Sequence, residues 1–191
     1  FTDGVFAYQG GQVTIGASGS LSGASLYLSG AGSFARSAGG TYSVTDLSLA
    51  DGATANVTAA DTVSGDVLVD SLAVLTLAGN LSIPSTKTLY LAGGGSISRT
   101  TQSISVGTLD VAADSSFTLA ASDSVGALLL HGGGQATVGT PLSLTGLTVT
   151  GSSGGGTPST LTATSALSIT SAGSILVSSG GLLAATGGIT G

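Results

Sequence analysis

Apolar–x–apolar triplets recur along this chain at a step of about twenty residues, and few folds tolerate such a period. They are Val5–Ala7, Leu26–Leu28, Leu47–Leu49, Val67–Val69, Leu89–Leu91, Leu109–Val111, Leu128–Leu130, Leu147–Val149 and Ile175–Val177. Their first members lie 21, 21, 20, 22, 20, 19, 19 and 28 residues apart. A second triplet usually begins eight residues after the first, as at Val13–Ile15, Ala55–Val57, Leu75–Leu77, Phe117–Leu119 and Ala136–Val138. A third follows at Tyr42–Val44, Leu81–Ile83, Ile104–Val106, Leu142–Leu144 and Leu167–Ile169. Antiparallel hairpins also give short alternating strands between glycine turns, but they do not hold one offset at fixed phase through every repeat. The expected fold is all-β: a right-handed parallel β-solenoid (β-helix) of about nine three-strand rungs of roughly 20 residues, its hand set by the crossover preference.

Alternation along a strand sends the outer residues of each triplet inward and the middle one outward. Compact Gly/Asp turns separate the first and second strands, as at Gly10-Gly11, Asp51-Gly52, Gly93–Gly95, Gly132–Gly134 and Gly180-Gly181. The chain reads as one solenoid segment, 1–191, of a longer chain or filament. Gly151–Thr160 (GSSGGGTPST) is expected to bulge from its rung as a protruding loop and to explain the step of 28. A longer unit of three rungs occurs twice: Leu26-Tyr27-Leu28 leads to Ser33–Arg36 as Leu89-Tyr90-Leu91 leads to Ser96–Arg99, and Ala59–Val63 is echoed by Ala120–Val125. Arg36 and Arg99 both fall where other rungs carry an inward apolar residue. An unpaired buried guanidinium is costly, so the strand is expected to end there and the side chain to turn out at the corner.

The outward residues separate the three faces. The third is a serine ladder: Ser22, Ser43, Ser82, Ser105, Ser143 and Ser168. The second carries Thr14, Asn56, Thr76, Ser98, Thr118, Thr137 and Thr162. One Thr per rung, interrupted by Asn56 and Ser98, is a weak match to an ice-binding array, and Thr suits strands for ordinary reasons. The first carries Phe6, Tyr27, Ser48, Leu68, Tyr90, Asp110, Leu129, Thr148 and Leu176. Phe6, Tyr27, Leu68, Tyr90, Leu129 and Leu176 are therefore the interface candidates, because contiguous exposed apolar patches commonly mark contacts.

Little points to catalysis. His131–Gly134 resembles an esterase oxyanion loop and Gly151–Gly155 formally matches G-x-S-x-G. Both fall in Gly-rich turns without a strand-to-helix elbow, so no catalytic residue is assigned and the chain is not expected to be an enzyme. A polysaccharide lyase or hydrolase is a distant alternative. Asp46, Asp61, Asp66 and Asp70 are the only carboxylates grouped well enough to hold a structural calcium ion, and turn formation accounts for most of them. No other cofactor is expected. Asn56-Val57-Thr58 and Asn80-Leu81-Ser82 are glycosylation sequons. A formal net charge of −6 argues against nucleic acid. The longest apolar runs, such as Ala127–Leu130 and Leu182–Ala185, are four residues, far short of the roughly 18 that a membrane-spanning helix needs.

The rungs, the absence of cysteine and the Gly/Ser/Thr/Asp turns resemble the stalks of bacterial surface adhesins, namely autotransporter passengers and filamentous-haemagglutinin-like proteins. That resemblance implies an extracellular structural or adhesive rod at the cell surface, partnered by itself or by neighbouring solenoid segments. The alternative is a carbohydrate-binding solenoid that grips polysaccharide through Tyr27 and Tyr90.

Overall fold

The computed structural model describes residues 4–36, 39–151 and 156–191, with backbone alone at residues 33, 35, 36 and 171. The chain is a right-handed parallel β-solenoid of about eight turns. Every strand pairing is parallel and joins one rung to the next. The nine first-face triplets stack in register along one wall, Val5↔Leu26↔Leu47↔Val67↔Leu89↔Leu109↔Leu128↔Leu147↔Ile175.

Stacking makes the core an aliphatic column. Leu26, Leu47, Val67, Leu89 and Leu109 are wholly buried on the first wall, and Leu75 and Leu161 on the second. Each such side chain contributes roughly 1.5–3 kcal/mol by leaving water, and each coil supplies the cover for the next. At the first coil the column opens into a mouth of about 510 Å³ lined by Val5, Val13, Ile15 and Leu21. At the last coil Ile175, Val177 and Leu182 are uncovered.

The corner between first and second walls is one turn repeated up the stack. In each, an N–H donates back to the carbonyl three residues earlier: Gly11 to Tyr8, Ala53 to Ala50, Ala73 to Asp70, Ser115 to Ala112, Gly134 to His131. The two residues between have positive φ: Gln9 and Gly10, Asp51 and Gly52, Ser71 and Leu72, Ala113 and Asp114, Gly132 and Gly133. These are type I′ turns, which favour glycine. Leu72 and Ala113 occupy that strained region without being glycine, held there by the coils above and below.

Three features differ from the sequence expectation. In the second half of the chain, third and first strands fuse into continuous bent strands, Ile104–Ala112, Ser124–His131, Leu142–Thr150 and Leu167–Ser178. The cause lies at the corner. Asp46 Oδ1 accepts the Asp66 N–H (2.9 Å), and Asp66 Oδ1 accepts the Thr88 N–H (2.8 Å), so side chains there stand in for the ladder. From Thr108 on, the same column holds Thr108, Ala127 and Gly146, and the backbone ladder runs through. The step of 28 has a second contributor besides residues 151–160. Leu144 pairs with Ile169 but Gly146 pairs with Ser174, so three extra residues bulge at that corner. Finally, the second wall is two sheets, with no ladder between Ser96–Ser98 and Ser116–Leu119.

Arg99 fills that break. The strand does stop at Ser98, as expected, but the side chain does not turn out to solvent. It is 11% exposed, with its Cζ 5.0 Å from the Phe117 ring centroid. Nη2 donates to Asp123 Oδ2 (2.6 Å) and to the Thr118 carbonyl (2.8 Å), which faces the neighbouring rung as a ladder acceptor would. The missing expectation was a partner: Asp123, one rung up, removes the penalty of burying the cation. At Arg36 the strand Ser33–Arg36 has its last described residue, and the Arg36 side chain lies outside the described set.

Candidate functional site

The first wall carries the candidate site. Its outward column is in register from end to end: Phe6, Tyr27, Ser48, Leu68, Tyr90, Asp110, Leu129, Thr148, Leu176. Phe6, Tyr90 and Leu176 are exposed, while Tyr27, Leu68 and Leu129 are half-buried against their column neighbours. The Phe6 and Tyr27 rings stack at 4.8 Å with 7° between planes, and Tyr8 lies 6.1 Å from Phe6. All six interface candidates thus share one surface.

Over Ser48 that column drops into a cavity of about 380 Å³, lined by Tyr27, Leu47, Ser48, Leu68 and Tyr90, with Asp46 and Asp66 at its edge. Asp46 Oδ2 accepts the Ser25 hydroxyl (3.0 Å), and among the described residues no donor is paired with Asp66 Oδ2.

Higher up, sequence reasoning missed a pairing. Asp110 points outward between Tyr90 and Leu129, yet it is only 7% exposed. His131 Nε2 sits 3.0 Å from its Oδ1. Burial pushes the Asp110 carboxyl above the usual carboxylate range, and the neighbouring imidazole opposes the rise. The available signal was register: Ala112 pairs with His131, so Asp110 lies on the same outward side one rung below.

This placement fixes a pH dependence. A carboxylate whose folded-state pKa is raised destabilises the fold when ionised, so its cost is present at neutral pH and disappears as pH falls below the unfolded value near 4. Asp110→Asn is expected to stabilise the protein by roughly 1 kcal/mol at pH 7.5. Urea midpoints at pH 7.5 and 4 should show that gain shrinking in acid, and a gain equal or larger at pH 4 would contradict the assignment.

The four acidic calcium candidates do not converge. Asp46 and Asp66 stack at the third–first corner. Asp61 is at the second–third corner, where Oδ1 accepts the Tyr42 N–H (2.9 Å) and Oδ2 the Thr58 N–H and hydroxyl (2.6 and 2.9 Å). Asp70 is at the first–second corner against the Ser71 N–H. Asp123 repeats the role of Asp61, taking the Ile104 and Ala120 N–H groups at 2.8 Å. Among the described residues no group of three or more His, Cys, Asp or Glu side chains is placed to hold a metal.

Asn56 is half-buried within the second wall, and Asn80 is exposed with its Oδ1 accepting the Ser103 N–H (3.0 Å). The second-wall hydroxyl column is interrupted between Ser98 and Thr118, because the sheet itself breaks there. Ser152, Ser153, Gly154 and Gly155 of the G-x-S-x-G match lie outside the described residues. At the foot of that loop the buried Ser159 hydroxyl donates to the Thr150 carbonyl (2.7 Å) and accepts the Gly133 N–H (3.1 Å). No protein-family model, no curated protein and no solved structure matches this chain.

Proposed function

We propose that the chain is a structural or adhesive fibre module, a rigid rod segment at the cell surface whose first wall is its contact face. The observation that carries this reading is the outward column: six large apolar side chains held in register on one rigid wall, which is how a contact surface is built and not how a solvated face is built.

The test is the triple variant Leu68→Ser, Tyr90→Ser, Leu129→Ser. All three point outward, so the coil should persist with an unchanged circular dichroism spectrum. Sedimentation velocity and electron microscopy should show wild-type protein self-associating into elongated particles and the variant dispersed. A wild-type chain that stays monomeric at high concentration, or a variant that assembles equally well, would refute the reading.

A further inference from the structure

We infer that contact through the first wall is proton-linked: a second copy covers it with uptake of a proton at the Asp110–His131 pair, so that the contact tightens from neutral to mildly acid pH. This rests on the first wall being a contact face, and names what regulates it. Asp110 is the only charged residue in the outward column, set between Tyr90 and Leu129. It is 7% exposed, so little water is left to solvate its carboxylate, and a surface laid over Tyr90 and Leu129 removes the rest. His131 stands on the same outward side one rung up, with Nε2 3.0 Å from Asp110 Oδ1 and its side chain still 47% exposed. Covering the wall therefore covers both members of the pair.

Charge balance sets the direction. An ionised carboxylate beside a neutral imidazole leaves one uncompensated negative charge under an apolar cover, which is costly. One added proton removes it in either place: on Asp110 it gives two neutral groups, and on His131 it gives a close ion pair. The covered state thus holds more protons than the open one. Association is strengthened below the pH at which the covered pair gives up that proton, and the gain is lost as pH rises through it. One linked proton changes the association constant by up to about tenfold per pH unit. Burial already pushes the Asp110 carboxyl above the usual carboxylate range, and a cover acts in the same direction. Few other titratable groups face Asp110. Tyr90 lies below it in the column, and Asp114 is at the adjoining turn with its carboxylate beside Gly133. The strands Ser116–Leu119 and Gln135–Val138 bring none.

The test is sedimentation equilibrium of the full chain at pH 7.5 and 5.5, at fixed ionic strength. Wild-type protein should associate at least about tenfold more tightly at pH 5.5. Asp110→Asn keeps the shape and removes the charge, so it should associate at pH 7.5 as wild type does at pH 5.5 and lose most of the pH dependence. Acid also lowers the net charge of the whole chain, and Asp114→Asn separates that effect. It removes the same charge at the adjoining turn and should keep the wild-type pH dependence. His131→Gln leaves Asp110 as the only proton acceptor of the pair and should associate more weakly than wild type at pH 5.5. Equal association of wild type at both pH values, a pH dependence that survives Asp110→Asn, or one that Asp114→Asn abolishes equally would overturn the proton linkage and leave the contact face standing. Wild-type protein that associates at neither pH would overturn both.

Discussion

Asp123→Ala is expected to destabilise the protein by about 3–5 kcal/mol, the range for breaking a buried ion pair by removing one partner. Arg99 is almost fully covered, and Asp123 is fully so. Without the carboxylate the guanidinium keeps only the carbonyls of Gln102 and Thr118, over the Phe117 ring. The Ile104 and Ala120 N–H groups lose their acceptor in the same change. The double variant Arg99→Met, Asp123→Asn should recover part of the loss, since it removes the buried cation and retains an acceptor oxygen for one of the two N–H groups. Urea unfolding across the four-member cycle gives the coupling directly. The location predicts where the damage shows. Arg99 is what joins the two second-wall sheets, so amide exchange should accelerate first at Ser96–Ser98 and Ser116–Leu119. An Asp123→Ala protein within 0.5 kcal/mol of wild type would mean that packing elsewhere closes this break.

The same residues show what a sequence can and cannot convey about such a coil. The inward columns were legible because two periods agree: alternation along each strand, and about twenty residues between rungs. Leu26, Leu47 and Leu89 could hardly satisfy both and lie on different walls. The outward first-wall column followed from the same count. Contacts between rungs were less legible, because they depend on side-chain reach across one step and not on period. Arg99 and Asp123 are 24 residues apart, and nothing in either local motif names the other. The Asp110 and His131 contact is diagonal between rungs: it joins Asp110 to the outward residue two places beyond its own register partner Leu129, so register brings the two near without naming the pair. The fused strands of the second half depended on which corner residues cap backbone N–H groups. The Asp46 and Asp66 carboxylates do so, and that role competes with the calcium reading in any sequence of this composition.

Gly134→Ala should be the most damaging single-methyl change in the coil. A Cβ at Gly134 would lie 1.8 Å from the Val111 carbonyl oxygen and 2.5 Å from its carbon, on the rung below. Those are backbone atoms held in the parallel ladder, so no rotamer change relieves the overlap. The coils must separate at that corner or the turn must open. Overpacking costs about 1–3 kcal/mol where side chains can yield, and the upper end applies where backbone must move. Equivalent corners show that the clash is local. Ala53 and Ala73 close the same turn on lower rungs and are wholly buried there. Gly95 against the Val69 carbonyl and Gly181 against the Val149 carbonyl repeat the close approach, so contact between coils tightens in these rungs only. Gly139→Ala is the matched control in the same coil, since an added Cβ there meets nothing within 4 Å and should change stability by less than about 0.5 kcal/mol. The Gly134 N–H also closes the turn on the His131 carbonyl (3.0 Å), which places the imidazole beside Asp110. A displaced corner should therefore move the His131 ring resonances as well as the unfolding midpoint, whereas Gly139→Ala moves neither. If Gly134→Ala unfolds like its control, the spacing between these coils is looser than the overlap with Val111 requires.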